Sequence, residues 1–276
     1  MEEKILFERF LFGDGNEISI DDMEFCVDRI VILPKIRPHQ LEKAVRLSVE
    51  YCKLAEFRRI LLDKTEECPV LIYQLHKRCV FDFNEIQPYI SDSYSFLLSY
   101  YFRKEIDDFE SFIESKYKPD DFDESLFENT NHIDQQIEYG FLPSSIEYCL
   151  KYDVIDEFDV FDNLNGEAKW SPFEWSEKPE YLDYLSFTGF FGSIKCFKYL
   201  LFQGFKINDR VLSMVVCGGC LDLFHLCQCK PLFVTPKLAC QASQFSQMSL
   251  LVFMIENGVD INANNYKVQF LYLMIL

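Results

Sequence analysis

Glycine and proline are scarce in this 276-residue chain, at ten each. So few turn formers beside 28 Phe and 15 Tyr point to helices packed on helices. Basic residues are also in deficit. Twenty-seven Lys and Arg against 45 acids leave a net charge of −18. That balance argues against a nucleic-acid groove, which needs clustered cations, and against docking on an anionic membrane. The first ten residues carry Glu2, Glu3, Lys4 and Glu8 among their apolar ones, so they do not read as a secretory leader. No Asn-x-Ser/Thr acceptor occurs. The longest purely apolar run, Phe270 to Leu276, is too short for a membrane span. Phosphate-cradling Gly-rich loops, a G-x-S-x-G elbow and an acidic calcium loop are all missing, and no enzyme activity or cofactor is expected. Eleven scattered cysteines, an odd number, read as free thiols in a reducing cytoplasm.

What is present is a core and a repeat. Apolar residues make up 49% of the chain, enough for a domain without metal or disulfide support. An apolar i, i+3, i+6 stripe recurs at Leu54/Phe57/Ile60, Ile106/Phe109/Phe112, Ile155/Phe158/Phe161, Ile194/Phe197/Leu200, Leu221/Phe224/Cys227 and Met248/Leu251/Met254. This spacing keeps one face of a helix apolar. The last three copies fall 27 residues apart. Leu185-Ser186 and Leu212-Ser213 share that offset, as do Gly192 and Gly219. Gly204-Phe-Lys-Ile-Asn208 precedes Gly258-Val-Asp-Ile-Asn262 by 54 residues, two periods. Each unit reads as helix, tight turn, helix and Gly-started loop, with Gly204 and Gly258 in the left-handed conformation just past the second helix. A helix pair of this size buries its apolar face only by stacking on a neighbour. The fold class expected is therefore all-α, a helix-pair solenoid. Burial between pairs is expected for Ile194, Phe197, Leu200, Leu221, Phe224, Leu251 and Ile255.

Residues 189–204 (GFFGSIKCFKYLLFQG) and 250–262 (LLVFMIENGVDIN) resemble ankyrin repeats. From Glu138-Tyr-Gly-Phe-Leu-Pro143 to Trp170-Ser-Pro-Phe-Glu-Trp175 the chain resembles the large trichomonad-type ankyrin family, whose N-terminal half is a helical domain of unknown function. The resemblance implies an all-helical fold and protein binding, with no catalytic residues. The period is 27 rather than about 33, and no Thr-Pro-Leu-His opening occurs.

Four regions follow. Residues 1–137 are helical, either as degenerate repeats of the same solenoid, the preferred reading, or as a separate domain. The stretch Leu41–Leu62 and the nearly all-apolar Phe96–Phe102 carry its helices, and Pro34, Pro38, Pro69, Pro88, Pro119 and Pro143 punctuate its connectors. Residues 138–180 hold a helix pair and a connector containing both tryptophans, Trp170 and Trp175. Residues 181–264 are the ankyrin-like repeats, and 265–276 form an apolar tail, expected to pack through Phe270, Leu271 and Leu273 on the helix at 250–256 or on a second copy of it in a dimer.

The function expected is a non-catalytic protein-binding scaffold. Loop tips supply the contact candidates Phe205, Lys206, Val259 and Asp260. Trp170 and Trp175 either pin their connector or offer aromatic anchors, Trp being frequent at binding hot spots. Glu105–Glu128 holds ten acids and two lysines, and Asp153–Asp162 five acids and no base. These are a solvated face or a docking stripe for a basic partner. The alternative is a zinc or redox protein built on Cys217, Cys220, Cys227 and Cys229, whose C-x-x-C start has metal-ligand spacing. The repeat register opposes it, since Cys227 takes the place of Leu200 and Met254.

Overall fold

The structure, a computed structural model, describes residues 20, 23–24, 26–28, 30–31, 41–92, 96–116, 133–156, 166–171, 173, 181–228, 235–245 and 247–259. Among them the chain is all-α, with fourteen named helices and one ribbon of two short strands. Two compact units divide it. The first contains residues 17–140 and 170–179, and the second contains 141–169 and 180–276.

The first unit contains α1 (Leu41–Tyr51), α2 (Ala55–Asp63), α3 (Pro69–Lys77), α4 (Phe83–Asp92), α5 (Phe96–Tyr101), α6 (Phe109–Lys116) and α7 (Ile133–Tyr139). Helix α1 packs on α3, α3 on α5, and α2 on α4. The stretch 41–62 is thus two helices with a break at Cys52–Leu54. On α1 the buried residues Ala44, Val45, Ser48 and Tyr51 lie at i, i+1, i+4 and i+7, one face of a helix. Two prolines expected in connectors are helical instead. Pro69 opens α3, where its missing N–H has no partner to lose, and Pro88 lies within α4 on its exposed side. Helix α4 starts with a reciprocal box: the Glu85 N–H donates to Asp82 Oδ1 at 3.0 Å and the Asp82 N–H donates to Glu85 Oε2 at 2.9 Å. Tyr73, Tyr101, Phe102 and Phe173 form an aromatic cluster with centroids 5.1 to 5.8 Å apart. The Tyr101 hydroxyl donates to the Phe173 carbonyl at 2.6 Å, fastening the returning segment to this unit.

The second unit contains α8 (Ile146–Tyr152), β1 (Glu167–Ala168), β2 (Leu182–Asp183), α9 (Tyr184–Phe191), α10 (Ile194–Phe202), α11 (Asp209–Gly218), α12 (Leu221–Gln228), α13 (Pro236–Gln244) and α14 (Met248–Glu256). The strands are antiparallel, with Glu167 opposite Asp183 and Ala168 opposite Leu182. Helix α9 pairs with α10, α11 with α12, and α13 with α14. First helices also stack on first helices, α9 on α11 and α11 on α13, and α10 lies on α12. The 27-residue period is carried by burial. Cys196/Leu223/Leu250, Phe197/Phe224/Leu251 and Leu200/Cys227/Met254 are nine core positions in three matching sets. Fully burying a Phe or Leu side chain stabilises by about 1.5–3 kcal/mol.

Several expectations on burial and on the stripes are corrected. Ile194 is only half-buried, and Leu221 and Ile255 are 36% and 40% exposed. The buried arc is centred on 196/197/200 and its equivalents, so residues 194, 221 and 255 stand roughly 100° around the helix from it. Phe197, Leu200, Phe224 and Leu251 are buried as expected. Ile155 is not helical, because Asp153 turns left-handed at φ 59° and ends α8; Phe158 and Phe161 lie outside the described residues. Ile106, Phe109 and Phe112 are half-buried, and α6 has no fully buried residue.

Two contacts explain the second unit's local geometry. A Cβ built on Gly218 would stand 2.3 Å from the Phe190 carbonyl oxygen and 2.6 Å from that of Gly189. Only a glycine lets α11 approach α9 so closely. Helix α10 is capped from a distance: Asp153 Oδ1 accepts from the Cys196 N–H at 2.8 Å, while Ser193, the residue before the helix, donates its hydroxyl to the Lys151 carbonyl.

Candidate functional site

The loop after α10 is pinned at both ends. The Gly204 N–H donates to the Leu201 carbonyl and the Phe205 N–H to the Leu200 carbonyl, both at 3.1 Å. Gly204 has φ 98° with open space around its missing Cβ, so the requirement for glycine there is torsional. At the far end, Asn208 Oδ1 accepts from the Val211 N–H at 3.0 Å and caps α11. Between these ties Phe205 is half-buried and Lys206 exposed. The same hydrogen bonds recur two periods on, from Gly258 N–H to Ile255 and from Val259 N–H to Met254. Val259 is half-buried, while Asp260, Asn262 and the tail 265–276 lie outside the described residues.

The cysteine motif has packing roles. Cys217 is buried and its carbonyl accepts from Gln247 Nε2 at 2.8 Å. Gly218 makes the close approach to α9, and Gly219 is the left-handed cap of α11. Cys227 is buried in the period, and Cys220 is half-buried. His225 faces Gln228 at 3.0 Å and sets its ring against Phe253 at 5.1 Å. Among the described residues no three His, Cys, Asp or Glu side chains converge on a point that could hold a metal ion; Cys229 is not one of those residues. The ten described cysteines form no disulfide with one another. Burial pushes Cys52 up to about 12, and it raises Cys196 as well, aided by Asp153. Both therefore stay protonated at neutral pH, the opposite of a reactive thiolate.

Trp170 is buried, at 6% exposed. Trp175 lies outside the described residues.

Charge is arranged differently in the two units. All ion pairs between described residues lie in the first. Arg58 Nη2 donates to both Glu85 carboxylate oxygens, at 2.6 and 2.7 Å, its Nε donates to Oε1 at 3.1 Å, and the guanidinium lies over the Phe81 ring at 4.4 Å. Its hydrogen bond holds the Glu85 carboxyl below the usual carboxylate range. Arg103 and Lys104 both reach Asp134, at 2.8 and 2.7 Å, Lys77 pairs with Glu138, and His76 Nε2 lies 3.4 Å from Glu105. Burial pushes Asp134 upward, but the two cations outweigh it and leave its carboxyl lowered. In the acidic stretch Asp107, Asp108, Glu110 and Glu114 are exposed, without an ion pair among the described residues; residues 117–128 are outside them.

The second unit holds a face that sequence reasoning passed over. On α10, Lys195, Lys198 and Phe202 stand at i, i+3 and i+7 and are all exposed, Phe202 at 87%. The signal was present in the sequence: Tyr184–Asn208 contains three lysines and no acid, inside a chain of net charge −18.

No helix among the described residues is long and apolar enough to cross a membrane. Comparison with protein-family models, curated proteins and solved structures finds no match to this chain.

Proposed function

We propose that the chain is a non-catalytic protein-binding scaffold of ankyrin-like type, a helix-pair solenoid acting in the cytoplasm. The observation that carries this reading is the 27-residue period of buried positions, coupled to the stacking of α9 on α11 and α11 on α13. In such a stack every pair repeats the same core and leaves its loops and outer helix faces free to vary. The loops at Gly204–Asn208 and Gly258–Val259 are rigidly tied at their glycines, so they present side chains at little ordering cost. The exposed acids of α6 offer a basic partner a second surface.

The test is affinity purification of the full chain from its native cell, with cross-linking and mass spectrometry. The expected result is a stoichiometric protein partner cross-linked at Lys206 or its neighbours. Recovery of no stoichiometric protein would overturn the scaffold reading. One bound equivalent of zinc, lost on Cys220→Ser, would replace it with the metal-site alternative.

A further inference from the structure

The outer face of α10 carries Lys195 and Lys198 beside Phe202, the most exposed of the large apolar side chains described. Lys195, Lys198 and Lys206 make no ion pair among the described residues, as Arg46, Lys53, Lys169 and Lys237 do not, whereas Arg58, Arg59, Lys64, Lys77, Arg78, Arg103 and Lys104 of the first unit are paired. Asp153, the acid at the start of α10, is committed to the Cys196 N–H. Phe202 stands between the lysines' faces and the Gly204 loop with most of its ring in water. In the next repeat the positions of Lys195 and Lys198 are Asp222 and His225, and two repeats on they are Ser249 and Val252. The cations therefore belong to one repeat and are no requirement of the fold, which the shared core positions satisfy in all three.

Resting on the scaffold reading, we propose that this face binds an acidic segment of a protein partner, one that carries an aromatic or aliphatic side chain. Charge complementarity selects the segment's acids. Lys195 and Lys198 lie on one helical stripe and Lys206 lies in the adjoining loop, so an extended or helical peptide meets cations along its length. Phe202 supplies the apolar anchor, a residue type whose burial dominates binding energy at interfaces. Three lysines and one exposed ring suit a short segment with a few acids better than a long nucleic-acid backbone, because the −18 chain repels an anion at long range in proportion to that anion's charge.

The test is a displayed library of random dodecapeptides panned on the full chain. The enriched peptides are expected to carry net negative charge and one large apolar residue. Lys195→Glu with Lys198→Glu should weaken binding of the best synthetic peptide at least tenfold, and Phe202→Ser at least fivefold. Raising the salt concentration tenfold should weaken it further. Circular dichroism of the variants should match that of the parent, since all three side chains are exposed. Enrichment of neutral or basic peptides, or of acidic peptides indifferent to the lysine variants, overturns this proposal while the scaffold reading survives. Tighter binding to phosphatidylserine vesicles or to a single-stranded oligonucleotide than to any peptide also overturns it. If no peptide enriches, this proposal falls, and the scaffold reading is decided by the affinity purification alone.

Discussion

The first unit is tied together across its surface, and the second is held by close packing. In the first, Arg58 and Lys77 join helices distant in sequence through carboxylates, and Arg103 and Lys104 tie the turn after α5 to Asp134 of α7. In the second no two described residues form an ion pair, and α9 and α11 approach to the limit that Gly218 allows. Exposed pairs contribute about 0–1 kcal/mol each, whereas loss of a packed side chain costs several. The same helical architecture should therefore fail in different ways in its two parts. Volume changes should break the second unit, and loss of charge should loosen the first.

The largest expected effect is at the repeat core. Phe224→Ala should destabilise the second unit by about 3–5 kcal/mol, while Leu221→Ala, three residues earlier and exposed, should cost about 1 kcal/mol or less. Chemical denaturation read by peptide-resolved hydrogen exchange measures both, and equal costs would mean that the buried arc has been misplaced. Next is Gly218→Ala, which forces a methyl against the Phe190 carbonyl and should cost about 3 kcal/mol. Gly204→Ala meets no atom and should cost only about 1–2 kcal/mol for its left-handed torsion. The same denaturation series tests whether their order is as stated.

The first unit is probed through charge. Arg58→Ala removes a two-point hydrogen bond to Glu85 and a ring contact, and should cost about 1–2 kcal/mol, part of the full value because both side chains meet solvent. The Glu85 and Asp134 carboxyls are lowered in the folded state. Their stabilisation is complete above the ordinary values of 4.5 and 3.8 and is lost as pH falls through the lowered ones. Pepsin digestion at stepwise lower pH should cut α2, α4 and α7 before α9 and α11; the reverse order would contradict the division of forces. The smallest effect expected is from salt. One molar sodium chloride should raise exchange in the first unit by about 0.5 kcal/mol of lost protection and leave the second unchanged.

Much of the second unit was legible in its sequence. The period and the left-handed glycines 204 and 258 follow from side-chain spacing and local torsion. The candidate loops were legible for the same reason. The face on α10 is less legible, because the net charge of −18 averages over an acid-free stretch of 25 residues. In the first unit the stripe at Ile106 misled, since an amphipathic spacing marks a face without saying whether anything covers it. The stripe at Ile155 misled because Asp153 takes a left-handed conformation that non-glycine residues seldom adopt.

By itself the sequence determined that this protein is helical, that its last third repeats every 27 residues, and where those helices stop. These are consequences of side-chain periodicity and backbone torsion, which act over one or two turns. Tertiary structure alone decided which arc of each helix is buried and that Asp153 caps α10 across 43 residues. It also brought Phe173 back to Tyr101 across 72 residues and set Arg58 beside Glu85. Each of these depends on the rotation and approach of neighbouring helices, a quantity fixed only when close-packed side chains have nowhere else to go.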